Sequence, residues 1–110
     1  MTRYKVQIPS SVVCDIQEIV AYIAEDNAVI ALEILDRLES KINSLKEYPE
    51  RGRVVPELLN QNIVEYHEII EAPWRIIYKI IDSNVFILTV IDGRRNVQDI
   101  LLRKLMNKGN

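Results

Sequence analysis

The chain has 110 residues, 48% of them hydrophobic and 27% charged, which is the size and balance of one folded domain spanning 1–110 rather than of a disordered or membrane-embedded chain. Its net charge of −2 at pH 7 excludes indiscriminate attraction to nucleic acid. The lone cysteine, Cys14, excludes an internal disulfide, and with a single histidine, His67, no metal or other cofactor is expected.

In chain order, Arg3 to Ile8 alternates polar and apolar residues and predicts a strand with Tyr4, Val6 and Ile8 on one side. Pro9 ends it, and Ser10 or Ser11 offers an N-cap to a helix whose apolar face is Val12, Ile16, Ile19 and Ile23, with Cys14 read as a small core residue. Asp26-Asn27 caps a second helix with Ala28, Ala31, Leu35, Leu38, Ile42 and Leu45 inward. The two make an antiparallel helical hairpin. Tyr48-Pro49 stops the second helix, and an irregular stretch runs to Asn62. Residues 63–70, 74–81 and 85–91 are β-branched and aromatic and are separated by gaps of hairpin length. Asn96 caps a last helix that buries Val97, Leu101 and Leu105. The expected fold is α+β in the order β-α-α-β-β-β-α: an antiparallel meander of about four strands with the helical hairpin on one face. No apolar run approaches the ~20 residues of a membrane-spanning helix, and the N-terminus lacks an export pattern, so the expected location is the cytoplasm.

Charge divides unevenly. Residues 1–71 carry a net −6 and residues 72–110 a net +4, which points the back half toward an acidic partner.

Three segments together resemble the RelE/ParE superfamily of toxins, in its ParE-like, plasmid-stabilisation branch. They are Gly52-Arg53-Val54-Val55-Pro56-Glu57-Leu58; Tyr66-His67-Glu68-Ile69 with Pro73-Trp74-Arg75-Ile76-Ile77-Tyr78; and Ile91-Asp92-Gly93-Arg94-Arg95. The pattern Tyr22-Ile23-Ala24-Glu25-Asp26-Asn27 adds to it. The resemblance implies the toxin of a type II toxin–antitoxin pair. Its partner would be a cognate antitoxin, its assembly a homodimer or a toxin–antitoxin hetero-oligomer, and its target either DNA gyrase, bound without catalysis, or the ribosome, where RelE-like mRNA interferases cut messenger RNA. A degenerate member, folded but not toxic, is the third reading. For all three, an apolar groove walled by the helical hairpin and the sheet is expected to take an antitoxin segment.

Cleavage of RNA by its own 2′-hydroxyl needs a proton acceptor, cations on the phosphorane-like charge and an acid for the leaving oxygen. By resemblance, Arg75 matches a phosphate-binding strand arginine, Arg95 matches the arginine of a Gly-Lys-Arg segment, and Glu57 lies where a YoeB-like relative keeps a catalytic glutamate. His67 adds an imidazole as a candidate acid or base. These four form the candidate endonuclease set. For a binding toxin, Arg75, Arg94, Arg95 and Trp74 form the target-binding set; if the third and fourth strands pair through their short turn, Arg75 and Arg94 or Arg95 converge on one sheet edge. The bland alternatives are that Arg75 pairs with Glu68 and only braces the sheet, that Glu57 pairs with Arg51 or Arg53, that Trp74 is core, and that the basic end from Arg103 to Lys108 caps its own helix dipole. Leu101 stands where RelE has a tyrosine and is unable to transfer a proton. That residue and the acidic charge balance favour the gyrase-binding reading.

Overall fold

The computed structural model describes residues 3–108. Strand β1 (Lys5–Gln7) leads into helices α1 (Ser10–Ala24) and α2 (Ala28–Asn43). Two single 3₁₀ turns, Ser44–Lys46 and Pro49–Arg51, carry the chain to β2 (Arg53–Val54) and the one-turn helix α3 (Pro56–Leu59). Then follow β3 (Tyr66–Glu71), β4 (Trp74–Ile81), β5 (Asn84–Asp92) and α4 (Val97–Lys108).

The sheet has five strands in the order β1-β5-β4-β3-β2. β2 to β5 are antiparallel neighbours, whereas β1 lies parallel to β5, with Lys5 opposite Asn84 and Gln7 opposite Phe86. Alternation along each strand divides its residues between two faces. On one face α1 and α2 pack Val12, Ile16, Ile34, Leu38 and Ile42 against Trp74, Ile76, Tyr78 and Ile87. On the other, α3 and α4 pack Val55, Leu58, Val97 and Leu101 against Tyr66, Ile77, Leu88 and Ile91. The ladder slips by one residue between Ile77 and Tyr78, a bulge that adds local twist in the middle of the sheet.

Several expectations change. A fifth strand and α3 occupy the stretch read as irregular; two and four residues are too short to show a period. β3 begins at Tyr66 rather than at residue 63, and Ile63 instead packs with the α3–α4 core. Helix α1 starts at Ser10 with Pro9 as its N-cap, and no side chain bonds its first turn. Ile8 is exposed beyond the end of β1, and Ala28 is exposed in the first turn of α2. Cys14 is exposed, because at 100° per residue it falls off the Val12–Ile16 stripe. The second helix does use Asn27, whose side-chain oxygen accepts from the Ile30 N–H at 3.0 Å. Asn96 likewise caps α4, accepting from the Asp99 N–H at 3.2 Å. Among the described residues no helix is long and apolar enough to cross a membrane, and no group of side chains is placed to hold a metal.

Candidate functional site

The face of β4 that carries Ile77 also carries Arg75, and only 8% of Arg75 is exposed. An unpaired guanidinium at such a depth is costly, so its partners decide whether the fold tolerates it. It has two. Nε donates to Glu68 at 2.7 Å, and Nη1 and Nη2 donate to the two carboxylate oxygens of Glu57 at 2.8 and 2.7 Å. Glu68, on β3, is itself buried and also receives Arg53 from β2. The result is an alternating chain, Arg53–Glu68–Arg75–Glu57, with no net charge. Arg75 holds the Glu57 carboxyl below its ordinary range by donating hydrogen bonds to it, against a smaller opposing effect of burial. The same bonds to Glu57 raise the Arg75 guanidinium further above its ordinary value, so it stays charged.

Two glycines allow close packing around the middle of this chain, Gly52 against the Tyr78 hydroxyl and the Glu68 backbone and Gly93 against the Arg75 stem. A side-chain carbon at Gly52 would lie 2.8 Å from the carbonyl oxygen of Glu68, and one at Gly93 would lie 3.0 Å from Cδ of Arg75. The stem of Arg75 thus passes directly beneath the bend after β5 while its head turns away toward α3.

Arg94 goes the other way. It donates from Nε and Nη2 to Asp92 at 2.9 and 2.6 Å, and it holds the Asp92 carboxyl down at about 2. Asp92 is the ladder partner of Trp74, on the α1 face of the sheet. Arg94, Arg95 and Trp74 line one cleft of about 510 Å³ between the end of α1, the end of β5 and α4. Asp15, Glu18, Tyr22 and Lys104 complete its wall. Tyr22 is 77% exposed. Asp15 is tied down by Thr89 at 2.7 Å and by Lys104 at 3.7 Å.

The structure therefore brings together three of the four residues read as target-binding and leaves Arg75 out. Its guanidinium is enclosed on the opposite face, and the shared exposed edge does not form. The bland reading of Arg75 matches the geometry, with Glu57 as a second partner in place of Arg51 or Arg53 for that carboxylate. Arg51 instead caps carbonyls of residues 44, 47 and 48. The four-residue endonuclease set is not assembled either. Glu57 and Arg75 touch, but His67 lies on the other face beside Tyr78, their ring centres 6.2 Å apart, and Arg95 stands at the cleft. Trp74 is buried among core residues, as its bland reading has it, and it also lines part of the cleft. In α4, Arg103 pairs with Asp99 one turn back at 2.9 Å, while the side chain of Lys108 lies outside the described residues. Sequence reasoning passed over Tyr22 and Asp15 as site residues, whereas Lys104 belongs to the basic end of the chain whose alternative reading is an addition to the target-binding face. The available signal was an exposed aromatic on the polar side of α1, legible only once α1 is known to lie over β5.

Comparison with known proteins decides the family. Residues 6–97 match the model of the ParE toxin of type II toxin–antitoxin systems. The chain belongs to the ParE toxin family. It is 28% identical over 95 residues to Toxin ParE3 of Caulobacter vibrioides, covering 82% of this chain and 87% of that protein. Its fold is that of the chromosomal ParDE toxin–antitoxin system of P. aeruginosa, with a TM-score of 0.65 at 13% identity over 84% of this chain and 98% of that one. An arginine double mutant of the E. coli toxin RelE in the free state is similar with a TM-score of 0.58 at 13% identity, covering 94% and 96%. The toxin–antitoxin complex RelBE2 of Mycobacterium tuberculosis gives 0.56 at 19% identity, covering 84% and 93%. The chain is thus a type II toxin by family, and its fold is common to the ParE and RelE branches.

Proposed function

We propose that this ParE-family toxin arrests growth by binding rather than by catalysis, with DNA gyrase in the cytoplasm as its target. In this reading residues 1–110 act as one domain, and the target meets the cleft of Trp74, Arg94 and Arg95. The observation that carries it is the saturation of Arg75. A phosphate of RNA would have to displace a bidentate carboxylate from a buried guanidinium, and the proton-transfer groups of a nuclease are not gathered around it. Leu101, in the place of the RelE tyrosine, is fully buried in the α3–α4 core. Two exposed arginines beside an indole and a phenol suit a protein surface, where aromatic and arginine side chains dominate binding energy.

The purified toxin is expected to block supercoiling by gyrase and to leave messenger RNA intact in a translating extract. Replacing Arg94 and Arg95 together by Ala is expected to weaken gyrase inhibition by about thirtyfold or more, since each such contact contributes ~1–2 kcal/mol. RNA cut in the extract would sink the reading. The endonuclease reading draws on one observation, the contact between Glu57 and Arg75, and that same extract tests it. A toxin with neither effect, and no growth defect when expressed without its partner, would be the degenerate member.

The antitoxin is assigned to a different surface. Val6, Ile8, Val13, Ile16, Leu35 and Ile42 form the apolar part of a groove of about 670 Å³ where α1 and α2 meet the β1 edge of the sheet, with Gln17, Glu39, Ser40, Asn43 and Lys46 as its polar part. A segment seated there by apolar contact should be held with weak salt dependence.

A further inference from the structure

We propose that the Nη edge of Arg75 is a carboxylate-binding site, kept closed by the chain's own Glu57 and opened when an acidic side chain of a partner polypeptide takes that position. The two carboxylates on Arg75 are not equivalent. Glu68 is built into the middle of β3, has a side chain with no exposure, and is shared with Arg53. Glu57 reaches in from α3 with a side chain 27% exposed. Its backbone is pinned, since Val55 and Leu58 on either side are fully buried. The carboxylate itself hangs on rotatable bonds, and a change of rotamer carries it into water without disturbing the helix.

What remains after that swing defines the ligand. Nη1 and Nη2 present two parallel N–H donors, spaced for the two oxygens of one carboxylate, at distances that Glu57 already realises. The remaining charges are Arg53, Arg75 and Glu68, a net of one positive charge, which one carboxylate neutralises. The Glu68 carboxylate behind the fork opposes a doubly charged phosphate. The intramolecular occupant also sets the strength of the effect. A site open for a fraction of the time binds its ligand with an affinity reduced by that fraction, so removal of the occupant strengthens binding by the inverse factor. The proposal starts from the same closed state of Arg75 that supports the gyrase reading, but its site lies on the opposite sheet face from the Trp74–Arg94–Arg95 cleft, so failure of carboxylate binding at Arg75 leaves the supercoiling test of that reading standing.

The test uses the full chain with Glu57→Ala. Sodium acetate, compared with sodium chloride at equal ionic strength, should raise the melting temperature of the variant along a saturating curve by several degrees and leave the wild type nearly unmoved. A hexaglutamate peptide should bind the variant about tenfold more tightly than the wild type, if Glu57 is in place about nine-tenths of the time. Should Glu57→Ala fail to fold, Glu57→Gln keeps the shape without the charge, and acetate should then shift the Arg75 Nε–H resonance. Acetate acting no better than chloride on the variant that folds overturns the proposal. Phosphate acting where acetate does not overturns it too, and reassigns the site to nucleic acid.

Discussion

Arg75 and Glu68 are two charges enclosed by the sheet and the helices, and their worth lies in being together. Arg75→Ala would leave Glu68 with Arg53 alone and Glu57 with its carboxylate unpaired, so it is expected to destabilise the fold by about 3 kcal/mol in chemical denaturation. Arg75→Lys should recover little of this, because an ammonium has no fork to serve Glu57 and Glu68 at once. Tyr78 shows the milder case. Its hydroxyl donates to the carbonyl oxygen of Pro49, and burial pushes the phenol above its ordinary pKa. Tyr78→Phe should cost about 1 kcal/mol, as for one neutral hydrogen bond. At this scale the sequence showed that Arg75 shares a strand face with Ile77 and has Glu68 as its natural partner. It did not show Glu57, because the pairing depends on where a four-residue helix seats on the far side of β2.

At the scale of elements, the long ones were legible and the short ones were not. β4 runs Trp74–Ile81 as its composition indicated, and α1, α2 and α4 follow their apolar periods. Periodicity needs repeats, and neither β2 nor α3 is long enough to contain one. Those are the elements that carry Arg53 and Glu57, so the missed part of the structure is the part that closes over Arg75. Asn27 marks the opposite case, a single residue that announces a helix start. Asn27→Ala should cost about 1 kcal/mol in denaturant, the usual value of an N-cap side chain. Gly52 is a tighter constraint. Gly52→Ala should lower stability more than the cap does, since the new carbon meets the Glu68 carbonyl and not merely a flexible side-chain end.

For the molecule as a whole, acid is the expected weak point. The carboxyls of Glu57 and Asp92 have folded pKa values below their ordinary ones, Asp92 at about 2, each through hydrogen bonds from an arginine. A depressed pKa contributes stability above the ordinary carboxylate range and loses it as pH falls through the folded value. The melting temperature should therefore hold near neutrality and fall as pH drops from about 4 to about 2. Glu57→Gln should start lower and show a shallower fall. The pair of Asp92 with Arg94 contributes the smaller share, because that arginine is largely in water, where an ion pair adds little.

The parallel seating of β1 against β5 sets a timetable for synthesis. Lys5, Val6 and Gln7 have their ladder partners at Asn84, Val85 and Phe86. A ribosome has therefore made every element through β4 before the first strand has anything to pair with. Until then α1 and α2 have each other and the β3–β4 hairpin to lean on, through Ile69, Trp74, Ile76 and Tyr78, and the β5 and α4 side of the cleft is still unmade. Any partner that captures the chain as it is being born must do so through the two hairpins, helical and β3–β4, whereas one that waits for the finished sheet meets a completed cleft.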